Sequence, residues 1–167
     1  SNIVLVNNEG RIIDVLRRSD ILKEGRMLQP GAVYCYPEPQ DKLNILNTDI
    51  NEIVNLISKA AETSVSASIL SSIGGISPLI AREFAFSLGS DTEIKVTDSY
   101  LSHLTSQLEA LKNAFTNGKP YLLLDADSTP VDFSFLPINQ YGDRYTLKEY
   151  PSFSELLDAF YSDRENA

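Results

Sequence analysis

The stretch that most constrains this chain is Ile73-Gly74-Gly75-Ile76-Ser77-Pro78-Leu79-Ile80-Ala81. Two apolar, helix-prone runs flank it, Ser64 to Ser72 before and Pro78 to Leu88 after. Two adjacent glycines, an aliphatic residue and then Ser-Pro predict a tight hairpin between two short helices. Glycine permits backbone angles that other residues avoid, and proline at a helix start sacrifices no intrahelical N–H bond. Ser77, just before Pro78, is placed to cap that helix. A turn of this kind aims several backbone N–H groups away from a helix N-terminus, a geometry that suits a phosphate oxygen. Taken alone, the stretch favours a plainer use, in which the glycines let two helices pack closely, because short motifs match by chance.

Charge narrows the choice of partner. The net charge of −9 is unevenly spread: residues 1–48 carry six basic and six acidic side chains, residues 49–117 four and eight, and residues 118–167 four and nine. The one basic concentration is Arg11, Arg17, Arg18, Lys23 and Arg26. Nucleic-acid-binding domains are usually basic over a face, so any such contact here must be local.

Around the hairpin the chain divides by pattern. Apolar Ile3–Val6, the turn Asn7-Asn8-Glu9-Gly10 and Arg11–Leu16 predict a β-hairpin over residues 2–17. From Ser19 to Asn47 the pattern is irregular, punctuated by Pro30, Pro37 and Pro39, with a short strand expected at Val33–Tyr36. That strand would turn Tyr34 and Tyr36 to one side, packed against the sheet, and Cys35 to the other. Thr48 or Asp49 opens a helix through about residue 61, with Ile53, Val54, Ile57, Ala60 and Ala61 on its inner face. Leu101, Leu104, Leu108, Leu111 and Phe115 recur every three or four residues, predicting a helix of about five turns that Asn117-Gly118 ends. His103 lies off that stripe and is expected in solvent.

Strands are expected at Tyr121–Leu124, at Val131–Phe135 and near Tyr145–Glu149, and Ser152 caps a last helix bearing Phe153, Leu156, Leu157, Phe160 and Tyr161. Asp125 and Asp127 sit among turn residues, without the further carboxylate of a calcium loop. The fold class is therefore α+β, with antiparallel β segments at both ends and a helix-hairpin-helix subdomain inserted between them. Because each strand set is too small to stand alone, the two are expected to share one sheet.

The chemistry of common enzymes is missing. There is no phosphate-binding P-loop and no nucleophile elbow, and no carboxylates pair in an apolar context suited to general acid work. A single cysteine excludes an internal disulfide and fits a reducing compartment, and a single histidine denies zinc a Cys/His ligand set. No apolar run approaches the roughly 18 residues of a membrane span, and no leader peptide opens the chain. The expectation is a non-enzymatic protein with no cofactor, no bound metal and no membrane contact, in the cytoplasm.

Several stretches together resemble one family. Ser1–Val6 followed by Gly10-Arg11-Ile12-Ile13-Asp14 is similar to a segment of fibronectin-binding protein A homologues, the NFACT proteins, which include the RqcH- and NEMF-like ribosome quality-control factors. Leu28-Gln29-Pro30-Gly31-Ala32-Val33-Tyr34 with Pro37, Pro39 and Gln40–Asn44 resembles the family's proline-rich linker. Gly75–Ala81 resembles its helix-hairpin-helix, and Asp132-Phe133-Ser134 with Pro137 and Ser154–Tyr161 resemble the segment before its coiled coil.

The resemblance is collinear over the whole chain and implies an internal piece of a longer protein. Residues 1–47 would be the end of the NFACT N-terminal domain, 48–117 the helix-hairpin-helix subdomain, and 118–167 strands rejoining the sheet plus a final helix. It implies a non-catalytic module of a factor that binds stalled large ribosomal subunits carrying peptidyl-tRNA, recruits tRNA and supports untemplated alanine tailing. The expected RNA or ribosome contacts are Gly74, Gly75, Ile76 and Ser77, with Arg17, Arg18, Lys23 and Arg26. Ser77 and Leu79 stand where DNA-binding hairpins often carry glycine and lysine, so duplex DNA is not an expected partner. The family's older name implies the alternative, an adhesin-type module that binds fibronectin and is displayed at the surface.

Overall fold

The computed structural model describes residues 2–19, 26–37, 40–60 and 63–165, with the side chains of residues 98, 99, 101 and 163–165 excepted. Two compact units divide the chain, Ser1–Gln40 and Asp41–Ala167. Among the described residues no helix is long and apolar enough to cross a membrane.

The first unit is built on a hairpin of β1 (Val4–Val6) and β2 (Ile12–Val15), paired antiparallel with Val4 opposite Val15 and a bulge between Leu5 and Val6. The turn forms where expected. The Asn7 side-chain oxygen accepts from the N–H groups of Glu9 (3.0 Å) and Arg11 (2.9 Å), fixing the chain reversal locally.

A lone hairpin is marginal, and here the following segment supports it. The Ile12 N–H donates to the Ala32 carbonyl (2.9 Å), Gly31 N–H to the Ile12 carbonyl (2.8 Å) and Tyr34 N–H to the Gly10 carbonyl (2.8 Å). Ile12 and Val15 are buried beneath this layer. Val33–Tyr36 does not form the expected strand: Val33 makes one isolated bridge to Arg11, and the chain then leaves the hairpin. Tyr34 and Tyr36 do turn the same way, their ring centroids 5.3 Å apart edge to face. Tyr36 is 84% exposed, so it does not pack on the sheet as expected. Pro39 lies outside the described residues.

The second unit combines a helical body with a sheet. Helix α1 (Ile50–Ser58) is capped by Asp49, whose carboxylate accepts from the Asn51 N–H, and it buries Ile53 and Ile57. Ala60 is half-buried and Ala61 lies outside the described residues. Helices α2 (Val65–Ser72) and α3 (Pro78–Gly89) flank the glycine turn. Helix α4 (Asp98–Asn117) presents Leu104, Leu108 and Leu111 to the core, as its periodicity predicts, while the Leu101 side chain lies outside the described residues. His103 is exposed beside the Ser102 hydroxyl.

Gly118 ends α4 for a reason other than the left-handed turn its position suggests. Its φ of −63° is open to any residue, but a Cβ there would strike the Ala114 and Phe135 carbonyl oxygens.

The sheet has strand order β4-β3-β5, from β3 (Tyr121–Leu124), β4 (Pro130–Ser134) and β5 (Thr146–Glu149), all antiparallel. Helix α5 (Phe153–Glu165) covers one face, packing Leu156 and Phe160 on Leu122. Ser152 caps it, its hydroxyl oxygen accepting from the Glu155 N–H at 3.2 Å while the hydroxyl donates to the Glu155 carboxylate at 3.3 Å.

The class is α+β as expected, but the single shared sheet is not formed. The hairpin and the later strands make two sheets, of two and three strands. Each set finds its missing support nearby, residues 28–34 for the hairpin and β5 with α5 for β3 and β4, which removes the need for a joint sheet.

Candidate RNA-facing site at the helix hairpin

Helix α2 ends when Ile73 turns extended, with φ −115° and ψ 129°. That extended residue lies alongside Leu43 in a short parallel bridge. Leu43 N–H donates to the Ser72 carbonyl (2.8 Å), and Gly74 N–H donates to the Leu43 carbonyl (2.9 Å). The segment before α1 therefore holds the turn from behind. Ile73 and Ile76 point inward and are buried, which fixes the turn to the core at both ends.

Between those anchors Gly75 adopts φ 78°, a left-handed conformation that a β-carbon disfavours. An added Cβ there would also meet the Phe115 ring at 3.4 Å. Ser77 then caps α3, its hydroxyl accepting from the Ile80 N–H at 3.3 Å, and Pro78 begins the helix. Among the described residues, no hydrogen-bond partner takes up the amides of Gly75, Ile76 or Ser77.

The four expected hairpin residues thus divide by role. Gly74 has its amide engaged by Leu43, and Ile76 has its side chain in the core. Gly75 and Ser77 are exposed and present the surface of the turn.

Both also line a cavity of about 500 Å³, together with Arg82 from the second turn of α3. Arg82 is half-buried, its Nε donating to the Gln140 side-chain oxygen at 3.3 Å. Sequence reasoning did not single it out. The available signal was the one cation of that helix, spaced five residues from the cap.

The basic residues Arg17, Arg18 and Arg26 belong to the first unit, whereas the hairpin belongs to the second. Arg17 and Arg18 are exposed. Arg26 is half-buried and donates from Nη1 to the Cys35 carbonyl at 3.3 Å. Lys23 lies outside the described residues.

Asp125 serves its turn, its carboxylate accepting from the N–H groups of Asp127 (2.9 Å) and Thr129 (2.8 Å). No cluster of three metal-ligating side chains exists among the described residues. Glu83, the one buried carboxylate among the described residues, accepts from the backbone and side-chain amides of both Asn139 and Gln140, which commits it to holding a loop.

Comparison with known proteins places this geometry in a family. Among the solved structures similar to this chain are two bacterial binding proteins. One, the fibrinogen binding protein from Staphylococcus aureus, is 25% identical with a TM-score of 0.65, over 96% of this chain and 55% of that one. The other, the N-terminal part of the fibronectin/fibrinogen-binding protein from Streptococcus suis, is 20% identical with a TM-score of 0.60, over 97% of this chain and 52% of that one. This chain therefore spans about half the length of those relatives. No curated protein matches it. The match to the NFACT N-terminal and middle domains runs over residues 1–167, and the chain belongs to the NFACT family.

Proposed function

We propose that this chain is a non-catalytic, RNA- and ribosome-facing module of a cytoplasmic quality-control factor, and that its helix hairpin meets RNA phosphate. The observation that carries this reading is the turn itself. Gly75 is exposed at φ 78°, the amides of Gly75 to Ser77 have no partner among the described residues, and a capped helix begins directly behind them. Such amides and the positive end of the helix dipole favour an anion without needing a lysine. Arg82, on the same cavity, adds positive charge close by.

In the whole protein the partners would be the stalled large subunit with its peptidyl-tRNA and incoming tRNA, and the module would support alanine tailing. Arg17, Arg18, Lys23 and Arg26 would supply a second contact. Duplex DNA does not fit. Leu79, which takes the place of the lysine in DNA-binding hairpins, is 4% exposed and belongs to the core.

The test is co-sedimentation of the chain with purified large subunits over a salt series, comparing the parent with Ser77→Asp. Aspartate keeps the cap and adds a negative charge facing the phosphate. Loss of binding by the variant, greatest at low salt where charges are least screened, is the expected result. Equal binding by both proteins at every salt would overturn the hairpin contact.

A second reading has one observation behind it, the description of the Staphylococcus aureus relative as fibrinogen binding. In that case immobilised fibrinogen or fibronectin, and not the subunit, would retain the chain.

A further inference from the structure

The cavity beside the hairpin has an unusual wall. Four consecutive residues, Asp132 to Phe135, line it. Side chains on a strand alternate between faces, so a cavity over one face would meet every second residue. Four in a row means that the edge of β4 forms the wall, and β4 is an outer strand of its sheet.

At that edge the Phe133 N–H is turned away from the ladder and donates at 2.8 Å to the carboxylate of Asp132, its own neighbour. In an antiparallel ladder the N–H and C=O of one residue point the same way, so the Phe133 carbonyl is turned outward as well. It has no hydrogen-bond partner among the described residues. Leu79, Phe153 and Leu157 line the same cavity, and the last two stand one helical turn apart on α5 and are exposed.

We propose that this groove binds an extended peptide, which adds to the outer edge of β4, seats an apolar side chain against Leu79, Phe153 and Leu157, and sets a basic side chain near Asp132. The edge decides the conformation of the occupant. A helix uses its backbone groups internally, whereas an extended chain brings the donor and acceptor that Phe133 lacks, and its alternating side chains can enter an apolar recess. Asp132 sets the charge at the strand edge, while Arg82 of α3, on the same cavity, is engaged by the Gln140 side chain. The Asp132 carboxylate holds the Phe133 N–H until a peptide carbonyl replaces it, and the freed carboxylate then faces the basic group. A second copy of this chain fits less well, since edge-to-edge pairing would gather Asp132 residues from two chains of net charge −9. This inference goes beyond the RNA-facing reading and does not depend on it.

The experiment pans a displayed library of short random peptides against the whole 167-residue chain, then follows the best synthetic peptide by amide hydrogen exchange. Enriched peptides should alternate bulky apolar residues with others and carry lysine or arginine. Bound peptide should slow exchange at Phe133 by about tenfold or more, as a newly paired amide would. Phe153→Glu and, separately, Leu157→Lys should each weaken binding by about tenfold, the loss of one anchoring contact. Thermal melts of both variants identify the folded one to be scored.

Three outcomes would overturn the proposal. One is a library that enriches nothing over the variants. Another is unchanged Phe133 exchange with peptide bound, which would mean a helix or side-chain contact only. The third is a concentration-dependent dimer that Phe153→Glu abolishes, which would give the groove to a second copy.

Discussion

Glu83 and Gln140 hold each other at two points: the buried carboxylate accepts from the Gln140 backbone N–H at 3.0 Å and from its side-chain amide at 3.2 Å. The same carboxylate takes both amides of Asn139, at 2.8 and 3.2 Å. The Gln140 amide also donates to the Leu79 carbonyl. One side chain on α3 thus ties the loop after β4 to the helical body. Glu83→Ala would leave the two loop N–H groups without their acceptor; Asn139 is exposed and Gln140 half-buried, so water takes up part of the loss and the cost should be about 1–3 kcal/mol. A urea midpoint unchanged from the parent would show that the loop finds other partners.

The helical core offers a simpler test. Leu108 is fully buried at the centre of the α4 stripe. Leu108→Ala should destabilise the chain by about 2–5 kcal/mol through lost burial and the cavity left behind. Denaturant unfolding should show a lower midpoint at an unchanged slope, and a midpoint equal to the parent's would contradict the burial of Leu108.

At the end of that helix, Gly118→Ala should be destabilising despite an ordinary backbone angle, because its methyl group would meet the Ala114 and Phe135 carbonyls. Overpacking of this kind costs about 1–3 kcal/mol. Gly118 is followed by β3, so the strain should appear in thermal melts as a lower midpoint. A melt equal to the parent would mean that the helix end shifts aside freely.

Ser77 separates stability from recognition. Ser77→Ala removes the cap on the Ile80 N–H and should cost about 0.5–2 kcal/mol, while Ser77→Asp should cost little. Ser77→Glu is the poorer probe, because its longer side chain would lose the cap as it adds the charge. Chemical denaturation of the two chosen variants checks the order. If alanine and aspartate melt alike, the serine hydroxyl is not holding the helix start.

The legible parts of this structure were those set by short sequence spacings. The α4 stripe, the Asp49 and Ser152 caps and the Gly-Gly turn each depend on neighbours within a few residues, and each appears where the pattern put it. The partner of β5 was not legible, because β5 passes over its neighbour in sequence, β4, to pair with β3, and no local signal names that choice. Within the candidate site, the turn that exposes Gly75 and Ser77 was legible from the Gly-Gly and Ser-Pro pairs. The engaged Gly74 amide was not foreseen, since it depends on Leu43, nor was Arg82, whose setting depends on Gln140. Glu83 was hidden for another reason. Helix α3 is buried on most sides, so its pattern carries no single stripe against which an inward carboxylate would stand out.

The bridge between Leu43 and Ile73 has a consequence for the order in which the molecule comes into being. Leu43 is synthesised before any residue of α1 or α2, and chains begin to organise from the N-terminal side as they emerge. When Gly74 leaves the ribosome, the carbonyl that receives its N–H is already outside. The hydrogen bonds that hold the turn from behind therefore need no residue beyond Gly74, whereas the core that buries Ile73 and Ile76 waits for α3 and α4.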